Sequence, residues 1–499
     1  MQSRKNRDWK RRGLAVILTA LMLTFLIPMV GLAVDAVYAI RAKLSAAVDA
    51  AALASARSLA VGLTLADQEQ SALNRANAYF TANFPDGMMG SSNKLVTIAV
   101  AESGFRTRTV TVTAEVEPPV YFMRYLGWGA SGKTLKVRVT GQASRRDVNV
   151  IMVVDRSGSL ETAGACDDVE NATIAFVSLF ANKRDRLGLI TFGGSSRLDY
   201  APTMNFKDSP TLVTELAKLY PGGCSGWTGS AQALWQGYQQ IVNINEPGAL
   251  NVILFFTDGN PNAITAEWPP KVKTTSTSPT GTTHCWDWLN NKPYTAVGWN
   301  PVNQRYLGFM AIQFNPSNGR DGIRNHQAPA MPTGDPGYVA IPVGFSGSAQ
   351  STSNDCYYRS NGSDVYRDVA YIPDTDYYGN SIFGWKPVST YPNGNPYNAR
   401  AASNDYISGQ NAMINAVDNA AQRIRQKVLN ANINTVIYVV GLGGVGQAEN
   451  DLLLRISNDK DSPIYDPTAL EGLYVYAPSA AQLNEAFVRI ASEILRYSN

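Results

Sequence analysis

The sequence predicts an α/β protein: a Rossmann-like, doubly wound sheet with an irregular insertion, preceded by a transmembrane helix and a small α+β stem. Three observations carry this expectation. Val148 to Val154 (apart from Asn149), Asn251 to Phe256 and Thr435 to Val440 are short apolar runs rich in β-branched and aromatic residues. They lack the alternation of a half-exposed strand, so they suit parallel strands covered on both faces. Amphipathic helical stretches separate such runs, which is the order that builds a doubly wound sheet. Finally, Gly13 to Val34 is uncharged, and as a helix it would span roughly 33 Å, enough to cross a bilayer core. With 499 residues, 45% hydrophobic and 17% charged, the chain is globular and too long for a single core.

Residues 1–12 carry six Lys or Arg against one Asp, whereas the whole chain has a net charge of only +3. The rest is slightly acidic, so no general basic surface exists for nucleic acid. The basic flank instead orients residues 13–34 with the amino terminus in the cytoplasm and everything after about Asp35 outside it. Val37-Tyr38-Ala39 offers a signal-peptidase pattern, but the apolar stretch exceeds a usual signal core of about 7 to 15 residues, which favours an uncleaved anchor. Val37, Ile40, Leu44, Val48 and Ala51 then recur at helical spacing, extending the anchor into a stem helix. A second helix is expected at 66–84, a hairpin from about Leu95 to Glu117 turning across Glu102 to Gly104, and a strand at 134–140. Residues 35–146 make up this stem.

Gly31-Leu32-Ala33-Val34-Asp35, Arg41-Ala42-Lys43-Leu44, Ala46-Ala47-Val48-Asp49-Ala50-Ala51-Ala52-Leu53-Ala54 and Val120-Tyr121-Phe122-Met123-Arg124-Tyr125-Leu126-Gly127 follow one another in that order. Together with the anchor and hairpin, they resemble the TadE/TadG-like proteins of Flp (tight adherence) pilus assembly over about residues 10–145. The resemblance implies a protein of the bacterial inner membrane, crossing once, with its bulk periplasmic or extracellular and pilus-assembly components as partners.

The run at 148–154 ends in Asp155-Arg156-Ser157-Gly158-Ser159, where an open α/β sheet exposes its chemistry. Asp-x-Ser-x-Ser is weak alone. Thr228, however, follows in Ser225-Gly226-Trp227-Thr228-Gly229-Ser230, and Asp258 lies in Thr257-Asp258-Gly259 at the end of another buried strand. Hydroxyl and carboxylate oxygens suit Mg²⁺, Mn²⁺ or Ca²⁺ rather than softer metals. The bland reading makes Asp155 and Asp258 helix caps after strands. The full set is similar to the metal-ion-dependent adhesion site (MIDAS) of the von Willebrand factor A family. That likeness implies an A-type domain over 147–265 and 405–499. It also implies a divalent ion, Mg²⁺ foremost, on Ser157, Ser159 and Thr228, balanced by Asp155 and Asp258, and a protein partner offering a carboxylate to it.

Further elements of this domain are helices at 169–180, 210–219, 231–241, 412–429 and 447–456, a strand at 186–192, and a last helix capped by Ser479. Residues 266–404, the insertion, are rich in Pro, Gly, Ser, Asn, Tyr and Trp. An unstructured loop of about 140 residues is implausible inside a compact domain. It is expected to form a small subdomain, in which Trp286, Trp288, Trp299, Tyr357, Tyr358, Tyr377, Tyr378 and Trp385 supply either its own core, the favoured reading, or a contact surface for a partner. Asp374 and Asp376 are read as turn residues, since they lack the Gly and Glu spacing of an EF-hand.

The four cysteines, Cys166, Cys224, Cys285 and Cys356, include no C-x-x-C pair, and only His284 and His326 could join them on zinc. Two disulfides are expected in an exported chain. The favoured pairing is Cys166 with Cys224 near the metal loops and Cys285 with Cys356 in the insertion. No Walker loop and no nucleophile-base-acid set is present, so adhesion is favoured over catalysis. The alternative function is an extracytoplasmic ligand- or glycan-binding adhesin acting through the insertion, with a structural metal.

Overall fold

The computed structural model describes residues 5–119, 135–194, 196–218, 224, 226–268, 286–287, 292–293, 299–300, 305–313, 322–324, 373–388, 405–443 and 450–497. Side chains at 5–15, 26–36, 268–324, 405–408 and 496–497 are not described. The described residues separate into two compact units, one ending at Arg146 and the other beginning at Asp147.

In the first unit α1 runs unbroken from Lys5 to Ser58, through Pro28. Among the described residues no helix is long and apolar enough to cross a membrane. The expected span at 13–34 falls inside α1, partly outside the residues whose side chains are described. Over the part that is described, Val16, Ile17, Leu18, Leu21, Met22, Leu23 and Phe25 are all exposed. From Ile40 onward the helix changes character. Ile40, Leu44, Ala47, Val48, Ala51, Ala52, Ala56 and Leu59 form a buried stripe against α2 (Leu65–Asn83) and a three-stranded antiparallel sheet. Thr64 and Asp67 start α2 with a reciprocal capping box, satisfying two otherwise orphan donors.

The sheet comprises β1 (Ser92–Gly104), β2 (Thr107–Glu117) and β3 (Val137–Arg146) in that spatial order. On β2, Val110, Val112, Ala114 and Val116 point into the core while the intervening Thr residues face outward, the period-2 pattern of a one-sided sheet. Close approach of α1 requires Gly141 on β3, because a Cβ there would sit 2.6 Å from Asp49 Oδ1 and 2.8 Å from Val48 Cγ1. The hairpin turns at Phe105-Arg106, later than expected, with Arg106 at φ 50° and the register shifting between Glu102 and Gly104. β3 likewise extends to Arg146, six residues past the expected end at Thr140. Its polar Gln142, Ser144 and Arg146 face outward opposite Thr111, Thr109 and Thr107, and that polarity hid the strand. Residues 120–127 lie outside the described residues.

The second unit is the α/β domain. Its elements in chain order are β4 (Val148–Asp155), α3 (Gly158–Thr162), α4 (Cys166–Ser178), β5 (Arg186–Phe192), β6 (Ser196–Thr203), α5 (Leu212–Ala217), α6 (Ser230–Ile244) and β7 (Leu250–Thr257). Next come β8 (Ala263–Trp268), β9 (Trp286–Asp287), β10 (Lys292–Pro293), β11 (Trp299–Asn300), β12 (Arg305–Gln313) and β13 (Gly322–Arg324). The unit closes with α7 (Asp405–Arg425), β14 (Thr435–Leu442), α8 (Asn450–Ser457), β15 (Leu473–Ala477) and α9 (Leu483–Tyr497).

The main sheet has the order β15-β14-β7-β4-β5-β6, parallel throughout except for the antiparallel edge β6. Every residue of β4 and β14 is buried, because helices cover both faces. Ile151, Val153, Ile253 and Phe255 face α6, α7 and α8. Val150, Met152, Leu254 and Phe256 face α4, α5 and α9. Each fully buried Val, Ile, Leu or Phe contributes about 1.5 to 3 kcal/mol, which makes the two slabs the main source of stability. The Ser479 hydroxyl donates to Gln482 Oε1 rather than accepting a backbone N–H, and a 3₁₀ turn at Ala480–Gln482 precedes α9; the expected side-chain cap is therefore absent.

Of the aromatics expected to build the insertion's own core, Tyr378 and Trp385 pack instead on the main core, together with Phe383 and buried Ile382. A row of α7 side chains grips the backbone of this returning segment. Asn415 donates to the carbonyls of Ile382 and Lys386, Asn419 to those of Ser381 and Phe383, and Asn411 to that of Pro387. Asp376 accepts from the backbone N–H groups of Tyr378 and Asn380, as the turn reading of this residue expects. Trp288, Tyr357, Tyr358, Cys285 and Cys356 lie outside the described residues.

Candidate metal centre

The chain passes from β4 outward to β5 and β6, then returns to β7 on the other side of β4. Strand order therefore reverses at β4, and at such a switch point the loops beyond the strand ends part to leave a crevice. Three loops meet there. The first, Asp155 to Ser159, is held by the Arg156 N–H donating to Phe192 O at 2.8 Å. The second precedes α6: Gly158 N–H donates to Gly226 O (3.0 Å) and Gly229 N–H to Gly193 O (2.6 Å). Only glycine fits at 229, since a Cβ would lie 2.7 Å from Gly194 O. The third is Asp258-Gly259 at the end of β7.

Four of the five expected residues form one hydrogen-bonded cluster. Asp155 Oδ1 accepts the Ser157 N–H at 2.7 Å, and its Oδ2 accepts the Thr257 hydroxyl at 2.6 Å. Asp258 Oδ1 accepts the Ser159 hydroxyl at 2.9 Å and that of Ser157 at 3.3 Å, and the two serine oxygens are 3.0 Å apart. Thr228 is buried but makes no hydrogen bond into this cluster. Its loop is tied to the first loop two residues away, through Gly226.

The electrostatics of the cluster are unbalanced. Both carboxylates are fully buried, and among the described residues neither has an ion-pair partner. Burial lifts Asp155 well above the usual carboxylate range and the Asp258 charge lifts it further, against the pull of the Thr257 and Ser157 hydrogen bonds. Burial likewise raises Asp258, opposed by Ser159 and Ser157. Asp258 Oδ2 is buried with no hydrogen-bond partner at all. A buried anionic oxygen without a donor is strongly unfavourable, and a divalent cation is the species that would satisfy it. The oxygen-only donor set fits a hard ion. Among the described residues no group of three or more His, Cys, Asp or Glu could hold a metal, so any ion here would have to draw on the hydroxyls as well.

Two residues absent from the sequence-level site act as struts. Glu161 Oε2 accepts the Cys224 N–H at 3.1 Å, and a disulfide joins Cys166 to Cys224. Both fix the segment behind the first loop to the chain leading into the second. Thr257 is the other; a Thr ending the apolar run of β7 was a visible signal, since a buried hydroxyl needs a partner. The disulfide is the pairing favoured from sequence.

Fold and site together define a doubly wound α/β domain with an oxygen-rich crevice at its switch point. Residues 150–260 match the von Willebrand factor type A domain family, so the chain carries such a domain. No curated protein matches the chain. Among solved structures, similarity is found to the PilB minor pilin from Streptococcus sanguinis, at 13% identity over 81% of this chain and 79% of that one, with a TM-score of 0.35. The pilus adhesin SpaC from Lactobacillus rhamnosus GG, in its open conformation, is similar at 13% identity over 83% of this chain and 35% of that one, TM-score 0.33. The vWF domain of the type V pili tip protein Mfa5 from Porphyromonas gingivalis gives 16% identity over 72% and 98%, TM-score 0.33. Scores this low carry no argument.

Proposed function

We propose that the chain is a membrane-anchored, exported adhesion protein of Flp-type pilus assembly or surface attachment, which binds a partner protein through a divalent ion at Asp155, Ser157, Ser159, Thr228 and Asp258. The observation that carries this reading is Asp258 Oδ2, a buried carboxylate oxygen without a donor, beside a second buried carboxylate that has no ion-pair partner among the described residues. Bound there, Mg²⁺ (or Mn²⁺ or Ca²⁺) would supply a positive charge able to accept a carboxylate from the partner. The chain's own part is to hold the two serine hydroxyls, the Thr228 loop and two carboxylates at one point, and to keep bulk water from the carboxylates by burying them. The anchor reading draws support from the uncharged stretch at 13–34 and from large apolar side chains exposed at 16–25, a surface that suits lipid.

The test is divalent-ion titration of the full chain by calorimetry, paired with surface adherence of cells carrying Asp155→Ala. Wild type should bind Mg²⁺ or Mn²⁺, and the variant should lose both binding and adherence. Adherence that survives in the variant and in EDTA would reject the mechanism.

A further inference from the structure

Thr228 is unusual among the five site residues in how its backbone is held. Its N–H donates to the Asn262 carboxamide oxygen at 2.6 Å. Its carbonyl accepts from the backbone N–H of Asn262 at 3.1 Å and of Ala263 at 3.2 Å. Three hydrogen bonds thus join one residue to a pair 34 and 35 positions later, and none uses the Thr228 hydroxyl. Every main-chain polar group of Thr228 is committed, which leaves that hydroxyl as its one group for a ligand.

Ala263 opens β8, and β8 is rigidly placed. Ile264 and Ala266 are buried in the main core, and Thr265 hydrogen-bonds to Gln232 of α6. β8 pairs antiparallel with β12 from Ala263 opposite Ala311 to Trp268 opposite Tyr306, and Thr265 O accepts the Tyr377 N–H at 2.8 Å. Both the outgoing and the returning parts of the insertion are therefore registered on the strand whose first residue clamps Thr228.

We propose that Asn262 is a positioning residue of the metal centre, which acts by fixing Thr228 and so links the ion to the insertion. The proposal rests on the metal reading above. Outer partners of this kind typically change metal affinity 10- to 100-fold. Because Asn262 acts through Thr228, the substitutions Asn262→Ala and Thr228→Ala are not additive, whereas two independent effects would add. Linkage also runs both ways: ion binding slows hydrogen exchange in β8, and a loosened β8 weakens the ion.

The test uses the full chain, with Mn²⁺ or Mg²⁺ affinity measured for wild type, Asn262→Ala, Thr228→Ala and the double variant, and amide exchange followed at Thr228. Expected are a loss of about 10-fold or more for Asn262→Ala, a double variant no weaker than Thr228→Ala alone, and faster exchange at Thr228 before any global loss of stability. Asn262→Asp keeps an acceptor for the Thr228 N–H and should keep its exchange slow, which covers an alanine variant that fails to fold. Wild-type affinity in Asn262→Ala, additive losses, or fast exchange at Thr228 in a folded Asn262→Asp would each overturn the proposal. If wild type binds no divalent ion, the metal reading itself fails, and that result is distinct from these.

Discussion

Asp155 and Asp418 are both buried carboxylates of the same domain, yet their surroundings are opposite. Arg455 meets Asp418 with two hydrogen bonds, Nε to Oδ1 at 3.0 Å and Nη2 to Oδ2 at 2.6 Å, and Gln422 adds a third at 2.8 Å. The guanidinium itself lies 4.5 Å over the Trp385 ring. Asp155 faces Asp258 instead of a cation, and one oxygen of Asp258 has no donor. Asp418 serves the fold, and its counter-charge is built into the fold. Among the described residues no such charge is supplied at the sheet's switch point, and on the proposed metal reading an ion from solution would complete it.

The largest effect should come from breaking the completed pair. Asp418→Ala leaves Arg455 buried and uncompensated, and is expected to cost about 3 to 5 kcal/mol, read as a lower urea midpoint with unchanged slope. A loss under 1 kcal/mol would mean that the pair is not a structural element and would undo the contrast with Asp155.

Next is the covalent strut that holds the site's loops together without an ion. The Cys166–Cys224 bond encloses a sequence separation of 58 residues, for which chain entropy gives about 4 kcal/mol. Cys166→Ala with Cys224→Ala should lower stability by roughly that amount or somewhat less, and on the metal reading the deficit should widen when Mg²⁺ is present, because loops no longer strapped together bind the ion more weakly and gain less from it. An equal deficit with and without Mg²⁺ would separate the strut from the site.

How much of this contrast was legible in the sequence depended on the kind of signal. Val148–Val154 and Asn251–Phe256 announced buried parallel strands because both faces are covered. Asp155, Ser157, Ser159, Thr228 and Asp258 stood at the loop positions such strands create. β6 gave no such signal: it is a partly exposed edge carrying Arg197, Asp199 and Pro202, and edges carry charge and proline where central strands do not. Glu161 and Asn262 were invisible for another reason. Their roles exist only through contacts with chain 63 and 34 residues away, and no local pattern encodes those. The same holds for Arg455 with Asp418, and for Trp385, whose aromatic-rich surroundings in the sequence pointed to a separate core.

Asp376 sharpens the comparison as an intermediate case. It is buried and satisfied by hydrogen bonds from Tyr378 and Asn380, and among the described residues no cation contacts it, although the Arg423 charge acts on it from nearby; burial outweighs these and pushes its carboxyl up to about 6. A folded value above the unfolded one means that the native state binds the extra proton between about pH 3.8 and 6. This group's contribution to stability is therefore full below pH 3.8 and is lost as pH rises through 6, on the order of 3 kcal/mol. The difference in stability between wild type and Asp376→Asn, followed by denaturant titration across that window, should show this slope. A flat difference would place Asp376 with the fully compensated carboxylates.

The smallest effect is the most diagnostic because its sign is reversed. Asp258→Asn keeps an oxygen for the Ser157 and Ser159 hydroxyls but removes the charge that faces Asp155 and the anionic oxygen that has no donor. In EDTA the variant should be more stable than wild type by about 1 kcal/mol, since relief of like-charge burial outweighs the cost of an unpaired amide. In excess Mg²⁺ the order should invert, because wild type alone gains the binding term, about 2.7 kcal/mol at a hundredfold excess over Kd. Crossing of the two urea curves thus tests the difference between Asp155 and Asp418 directly. A variant less stable than wild type even in EDTA would show that the fold already compensates Asp258, and the case for an ion at this centre would fall with that result.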